Sequence, residues 1–328
     1  MKKNTSHLII GIFLMLFAIY VNAQPTIIKV TLQLPESHPL AKNWIEFGKI
    51  IEEKSQGELK IKLFSSASLF KGNEVPKAVG EGAIEAGSAF LGDFANEIPA
   101  VEIISLPFLF KDEAHWKMAV APNSSMRKFL DKQILQKRNA KVLWWQAYGR
   151  NIYLSQHKPI RLPQNLKGKK VRTYGKIQGW SIEAYQGIPM LIPGSKQYNA
   201  YNKNVIDIGM TGVSAVESRK LYEVMDYMTL SFDSAIEFIA IMNNDFFEKL
   251  PQKHQKIILQ AAIQVEKKLR QTIYQEERNT IKRLQSKINV IELTKSEHKK
   301  WVKASRPVIQ KFIQSTGDLG KTLIKKVR

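Results

Sequence analysis

The sequence predicts an α/β protein built as two lobes, on three observations. Strand-like and helix-like segments alternate from Ile27 onward, the pattern of largely parallel sheets. Roughly 300 residues follow the first apolar run, enough for two α/β lobes or one large domain. No internal repeat, low-complexity tract or flexible linker interrupts them, which favours two lobes crossed more than once by the chain over two tethered domains.

The first segment reads as an export signal. Lys2 and Lys3 precede an almost unbroken apolar run from Leu8 to Val21, and Val21-Asn22-Ala23 offers a small-residue cleavage site before Gln24. A single membrane anchor is the alternative, but the run is short for a span and turns polar at once. No Cys follows it, which argues against a lipid anchor.

Ile27–Leu34 then reads as a strand, and Pro39–Ser55 as an amphipathic helix with Leu40, Trp44, Phe47 and Ile51 at helical intervals. Glu58–Phe64 alternates as a second strand. A helix over about Asn73–Glu81 holds Pro76, which fits only a first turn, and leads to a strand at Ile84–Phe90. Leu106–Phe110 is an apolar loop or short strand, followed by a helical run through Trp116. Lys141–Ala147 is a buried strand candidate, and Lys169–Gly175 a strand carrying Arg172. A helix over about Gln178–Gln186, a strand over Val205–Met210, a helix after Val213 and a returning strand at Phe238–Met242 come next. Two long helices, about Pro251–Lys287 and Lys295–Lys311, close the chain, and Pro251 suits a first turn.

Composition narrows the function. The chain has no Cys, which removes disulfides, zinc–thiolate sites and thiol catalysis. The formal net charge is +21, concentrated after Pro251, where 19 Lys and Arg face 6 Asp and Glu. Nucleic acid, an acidic membrane surface and lysine-rich solvated helix faces all fit such a balance. The helical spacing of the charges favours the last, and an export signal disfavours nucleic acid. No G-x-S-x-G elbow and no H-E-x-x-H motif occur. Gly317-Asp318-Leu319-Gly320-Lys321-Thr322 lacks the earlier glycine of a phosphate loop, since Ser315 stands there. Gly80-Glu81-Gly82 lacks the third glycine of a dinucleotide fingerprint. Neither an enzyme, a cofactor nor a metal is expected.

The positive signal lies at strand ends, where open α/β sheets bind ligands. Phe90 ends one predicted strand, Arg150 follows another, Arg172 lies within a third and Thr211 ends a fourth. An arginine inside a strand is costly to bury unless an anion meets it, and its planar guanidinium suits a carboxylate. The competing readings are a structural ion pair for Arg172 and a solvated surface side chain for Arg150.

Several segments together resemble the DctP-type substrate-binding proteins of TRAP transporters over nearly the whole mature chain. They are HPLAKNWIEFGKIIEEKSQGELKIKLF, EGAIEAGSAFLGDFANEIPAVEIISLPFLF, GRNIYLSQHKPI, NLKGKKVRTYG, YNAYNKNVIDIGMTG and SRKLYEVMDYMTLS. The resemblance implies a periplasmic binding protein fold, with a ligand cleft between the lobes and long C-terminal helices. It also implies that a small organic acid is captured for TRAP permease subunits, or sensed on behalf of a receptor. By position, Arg172 resembles the family's arginine that pairs with the ligand carboxylate and Arg150 a second basic contact. Phe90 matches a pocket-lining position, Thr211 a polar position often occupied by Asn, Glu74 a cleft-facing helix start, and Tyr198 the Tyr of the family's E-V-Y-x-A-L helix. This chain departs at Lys196-Gln197, Tyr201, Asn204 and Thr211, so C4-dicarboxylates and larger carboxylates both remain open. The expected partition is signal 1–23, lobe one 24–147 with 237–276, and lobe two 148–236 with 277–328.

Overall fold

The computed structural model describes residues 24–327, and the export signal read from residues 1–23 lies outside the described residues. The strands are β1 (Thr26–Leu32), β2 (Leu59–Phe64), β3 (Ala86–Phe90), β4 (Ala140–Ser155), β5 (Lys170–Thr173), β6 (Ile188–Leu191), β7 (Ile208–Gly212), β8 (Tyr227–Leu230), β9 (Ala235–Asn243) and β10 (Asn289–Glu292). The α-helices are α1 (Pro39–Lys54), α2 (Val75–Gly80), α3 (Glu113–Ala119), α4 (Ser125–Arg138), α5 (Lys176–Ala184), α6 (Gln197–Asn202), α7 (Val213–Ser218), α8 (Asn244–Lys249), α9 (Gln252–Leu284) and α10 (Lys295–Val327). None of these helices is long and apolar enough to cross a membrane.

Strand order is β2-β1-β3-β9-β4-β7-β5-β6, with β8 also beside β4 and β10 beside β8. β1 pairs in parallel with β2 and β3, and β5 with β6 and β7, as the alternation predicts. The centre differs, because β9 runs antiparallel to β3 and β4, and β4 antiparallel to β7 and β8. β4 carries the chain from the first sheet into the second and β9 carries it back, so the two must point in opposite directions. β4 is accordingly much longer than the expected Lys141–Ala147. Its residues from Ala140 to Arg150 pair with β9, and those from Asn151 to Ser155 with β7 and β8.

Local chemistry explains the elements. Pro39 opens α1, the Nδ1 of His38 accepts from Leu40 N–H at 3.1 Å, and Leu40, Trp44, Phe47 and Ile51 on one face are wholly buried. Burial of each such side chain contributes about 1.5–3 kcal/mol. Pro76 sits in the first turn of α2, as its fixed φ requires. Leu106–Phe110 is a loop, pinned where the Phe108 N–H donates to the Asp233 carbonyl at 2.6 Å. α10 continues well past Lys311, with a break at Gly317, whose φ is +62°.

Each sheet is covered on both faces. Ile28 and Val30 meet Trp44 and Phe47 of α1 and Val265 of α9. Ile239 and Ile241 of β9 meet Leu130 of α4 and Phe312 of α10. In the second sheet Ile152 and Leu154 pack with Val216 and Leu284, while Tyr153 between them packs with Val171, Ile182 and Trp301. That is the period-2 alternation of a strand covered on both sides. Between the sheets lies one more cluster, in which Leu32, Phe90, Tyr148 and Phe238 meet Ala215.

Candidate ligand-binding site

A cavity of about 270 Å³ opens above that last cluster, lined from both sheets. The ends of three predicted strands reach it, bringing Phe90 of β3, Arg172 of β5 and Thr211 of β7 together. Phe90 is held edge-on against Tyr174, with ring centroids 5.4 Å apart, and Phe238 backs it at 5.7 Å. Arg172 is only 4% exposed. Its Nε donates to the Ile192 carbonyl at 2.9 Å and its Nη1 to the Met210 carbonyl at 2.6 Å, and the Tyr174 ring lies 5.0 Å from the guanidinium carbon. No carboxylate lies within ion-pair distance of it among the described residues. Burial works against its charge and lowers its pKa, with the Arg219 cation adding to that pressure. The protein therefore aims this guanidinium by backbone carbonyls and leaves its charge uncompensated.

Three of the expected residues stand elsewhere. Arg150 is turned away from the cavity onto α9, where Nε and Nη2 donate to Glu277 Oε1 at 2.8 and 2.5 Å, and it stacks on Phe232 at 3.5 Å. It borders a separate cavity of about 110 Å³ beside Asp233 and Tyr274. The cause is a bulge in β4 between Ala147 and Gly149, where Gly149 takes φ +122°. One extra residue reverses the strand's facing, so Tyr148 lines the main cavity and Arg150 points to the opposite side. Glu74 is exposed, and its Oε2 accepts from the Lys71 N–H at 2.8 Å, closing the 3₁₀ turn Gly72–Glu74. Its neighbour Asn73 lines the cavity instead. Tyr198 donates to Glu223 Oε2 at 3.0 Å on the outer side of α6, while the adjacent Gln197 faces inward.

The departures in this region are also accommodated. Gln197 accepts from the Tyr201 hydroxyl at 3.1 Å. A side chain at Gly209 would lie 2.7 Å from the Tyr201 hydroxyl, so the glycine makes room for that ring. Asn204 adopts φ +52°, a left-handed turn that Asn tolerates where glycine is the usual residue.

Two side chains of charged type that sequence reasoning missed also line the cavity, Asp93 and Arg219. Burial pushes the Asp93 carboxyl up to about 7, partly offset by the Phe90 backbone N–H. Nothing in the local sequence distinguishes either residue from a surface charge; only the packing around it does.

The segment from residue 31 to 316 matches the family described as bacterial extracellular solute-binding protein, family 7. The C4-dicarboxylate-binding periplasmic protein DctP of Shewanella loihica is 26% identical over 309 residues, covering 92% of this chain and 89% of that protein. The 2,3-diketo-L-gulonate-binding periplasmic protein YiaO of Escherichia coli is 27% identical over 243 residues, covering 71% of this chain and 69% of its own length. Among solved structures, a TRAP periplasmic solute-binding protein of Sulfurospirillum deleyianum with bound succinate superposes with a TM-score of 0.85 at 24% identity, covering 92% of this chain and 97% of that one. DctP7 of Bordetella pertussis, a receptor binding pyroglutamic acid, gives 0.87 at 21% identity, covering 92% and 99%. The fold is thus that of the two-lobed periplasmic binding proteins. With the family match spanning most of its length, this chain belongs to family 7 of the bacterial extracellular solute-binding proteins, the DctP-type proteins of TRAP transporters, and is a binding protein rather than an enzyme.

Proposed function

We propose that this protein is exported to the periplasm, captures a small organic acid in the cavity between its lobes, and delivers it to the membrane subunits of a TRAP permease. The observation that carries the reading is Arg172, a buried guanidinium oriented by two carbonyls and lacking a carboxylate partner among the described residues. Thr211 offers a hydroxyl beside it, and Phe90 bounds the apolar part of the ligand. The ligands named for the relatives, C4-dicarboxylate and 2,3-diketo-L-gulonate, all carry a carboxylate and support the same reading. The lobes in this proposal comprise 24–147 with 237–276, and 148–236 with 277–328. Closure around the ligand excludes water and strengthens the charge pair, and the ligand selects the closed state by binding it more tightly.

A thermal-shift screen of the mature protein, unfolded and refolded to strip any carried ligand, tests this against mono-, di- and sugar carboxylates. At 100 times the dissociation constant a ligand adds about 2.7 kcal/mol of stability, a shift of several degrees. If no carboxylate moves the melting temperature of the folded protein, the carboxylate reading falls.

Asp93 gives the site an expected pH dependence. Its carboxyl, raised to about 7 by burial, is neutral in weak acid and adds a negative charge to the cavity as pH rises through that value. Affinity for an anion is therefore expected to fall between pH 6 and pH 8, by about tenfold for a Coulomb term of about 1–2 kcal/mol. Calorimetric titration across that range measures it. Asp93→Asn is expected to flatten the profile, and an unchanged slope in that variant excludes Asp93 as its source.

A further inference from the structure

The described arginines differ in what faces them. Arg127, Arg138, Arg150, Arg161, Arg270, Arg278 and Arg283 each have a carboxylate within 4 Å, and Arg306 is exposed to solvent. Among the described residues that leaves Arg172 and Arg219, and both line the same cavity. Chance placement of surface charge does not sort residues this way. Every other described arginine is paired or exposed to solvent, and these two face one cavity.

Arg219 comes just after α7, its backbone N–H donating to the Ala215 carbonyl at 3.0 Å. Its side chain reaches toward the first sheet, where Nη2 makes one long hydrogen bond, 3.5 Å, to the Gln33 carbonyl. The guanidinium is laid against Gly194, in the loop after β6. A Cβ there would stand 2.7 Å from Nη2 and 2.8 Å from Nη1, so any other residue would push the guanidinium from this position. None of the groups acting on Arg219 brings a negative charge, and Asp93, the carboxyl that lines the same cavity, makes no ion pair with either arginine among the described residues. His38 is held neutral by burial, and then by Arg219 and Lys42. Its Nδ1 accepts from Leu40 N–H, which leaves Nε2 to donate to Ser214 Oγ at 2.9 Å. Tyr201 remains a phenol, its pKa pushed up to about 12 by burial. Two cations near enough to disfavour each other are costly unless anions meet both, above all for Arg172, which is buried.

We propose that Arg219 is a second anion-binding residue of the cavity, and that the ligand is a compact diacid with one carboxylate held by Arg172 and the other by Arg219. This rests on the carboxylate reading of the cavity. It deepens that reading by making Arg219 the residue that separates diacids from monoacids. Two such groups also select for length, because a monoacid satisfies only one of them and leaves the other unpaired.

The test is calorimetric titration of the refolded mature protein with succinate, malate and glutarate, each against its monoamide, and with butyrate. The wild type is expected to prefer at least one diacid over its monoamide by about 30-fold or more, the order expected for one desolvated charge pair. Arg219→Gln is expected to erase that preference, bringing the diacid down to the monoamide level while monoacid binding stays. Arg219→Lys, which keeps the charge, is expected to retain part of it, and Arg172→Gln to lose both classes. If monoacids bind as well as diacids, or if Arg219→Gln weakens both classes equally, the two-anion proposal is overturned while the carboxylate site stands. Binding of sugar monoacids alone has the same meaning. If no carboxylate of any class binds, both readings are overturned together.

Discussion

Arg172→Ala is expected to weaken ligand binding by about 2–5 kcal/mol, the cost of removing one member of a desolvated charge pair. That is a loss of about 30-fold to several thousand-fold in affinity. The ligand-free protein is expected to melt within a few degrees of the wild type. The substitution removes a buried charge that costs stability, and it also strands the Ile192 and Met210 carbonyls that Arg172 now engages. These effects oppose each other. Measuring both quantities on one preparation separates a binding role from a structural one. Affinity retained at the wild-type level would sink the role given to Arg172. A collapse of the melting temperature would make it a structural residue.

The second large effect concerns stability. Arg127 of α4, Glu237 of β9, and Glu266 and Arg270 of α9 form a buried charge network. Arg127 Nη2 meets Glu266 Oε2 at 2.8 Å, with a second contact from Nη1 to Oε1. Arg270 Nε meets Glu266 Oε1 at 2.9 Å, and Arg270 Nη1 meets Glu237 Oε1 at 3.1 Å. Burial opposes the charge on Glu266, but the guanidinium groups of Arg127 and Arg270 overcome it and hold the carboxylate below its ordinary range. Glu266→Ala leaves two buried cations short of a partner and is expected to cost about 3–5 kcal/mol. Chemical denaturation is the measurement, and a loss below about 1 kcal/mol would mean that water reaches the network. The sign of the pH effect follows from the depressed carboxylate. The stability it contributes is present above the unfolded-state pKa and is lost as pH falls through the lower folded-state value.

Much of this fold was legible because its signals are local. Alternating apolar residues give β1 and β2, and helical spacing gives α1 and α9 with only small errors at the ends. Phe90, Arg172 and Thr211 were legible for a related reason, since chemistry placed at the carboxyl ends of strands faces a cleft. What escaped depends on geometry that single residues do not encode. The facing of Arg150 is decided by a bulge one residue earlier. Glu74 and Tyr198 each miss the cavity by one position, because a step of one residue rotates a helix by about 100° and a 3₁₀ turn by about 120°. Arg219 is followed by Lys220 in an ordinary polar stretch, and its lack of a carboxylate partner among the described residues exists only in three dimensions. The short strands β6 and β10 were missed as well, and β8 was legible only through the resemblance of SRKLYEVMDYMTLS. β6 contains Pro189, which an edge strand tolerates and a sequence pattern counts against.

The position of β9 has a consequence for how the chain is made. β9 fills the space between β3 and β4, although it follows both by many residues. Until about three-quarters of the chain has been synthesised, the first sheet has a gap at its centre. A nascent chain in that condition presents two unpaired strand edges, the feature that favours pairing between copies. Late arrival of the central strand thus delays completion of the first sheet, and any fragment that stops short of Asn243 is expected to aggregate rather than fold by itself.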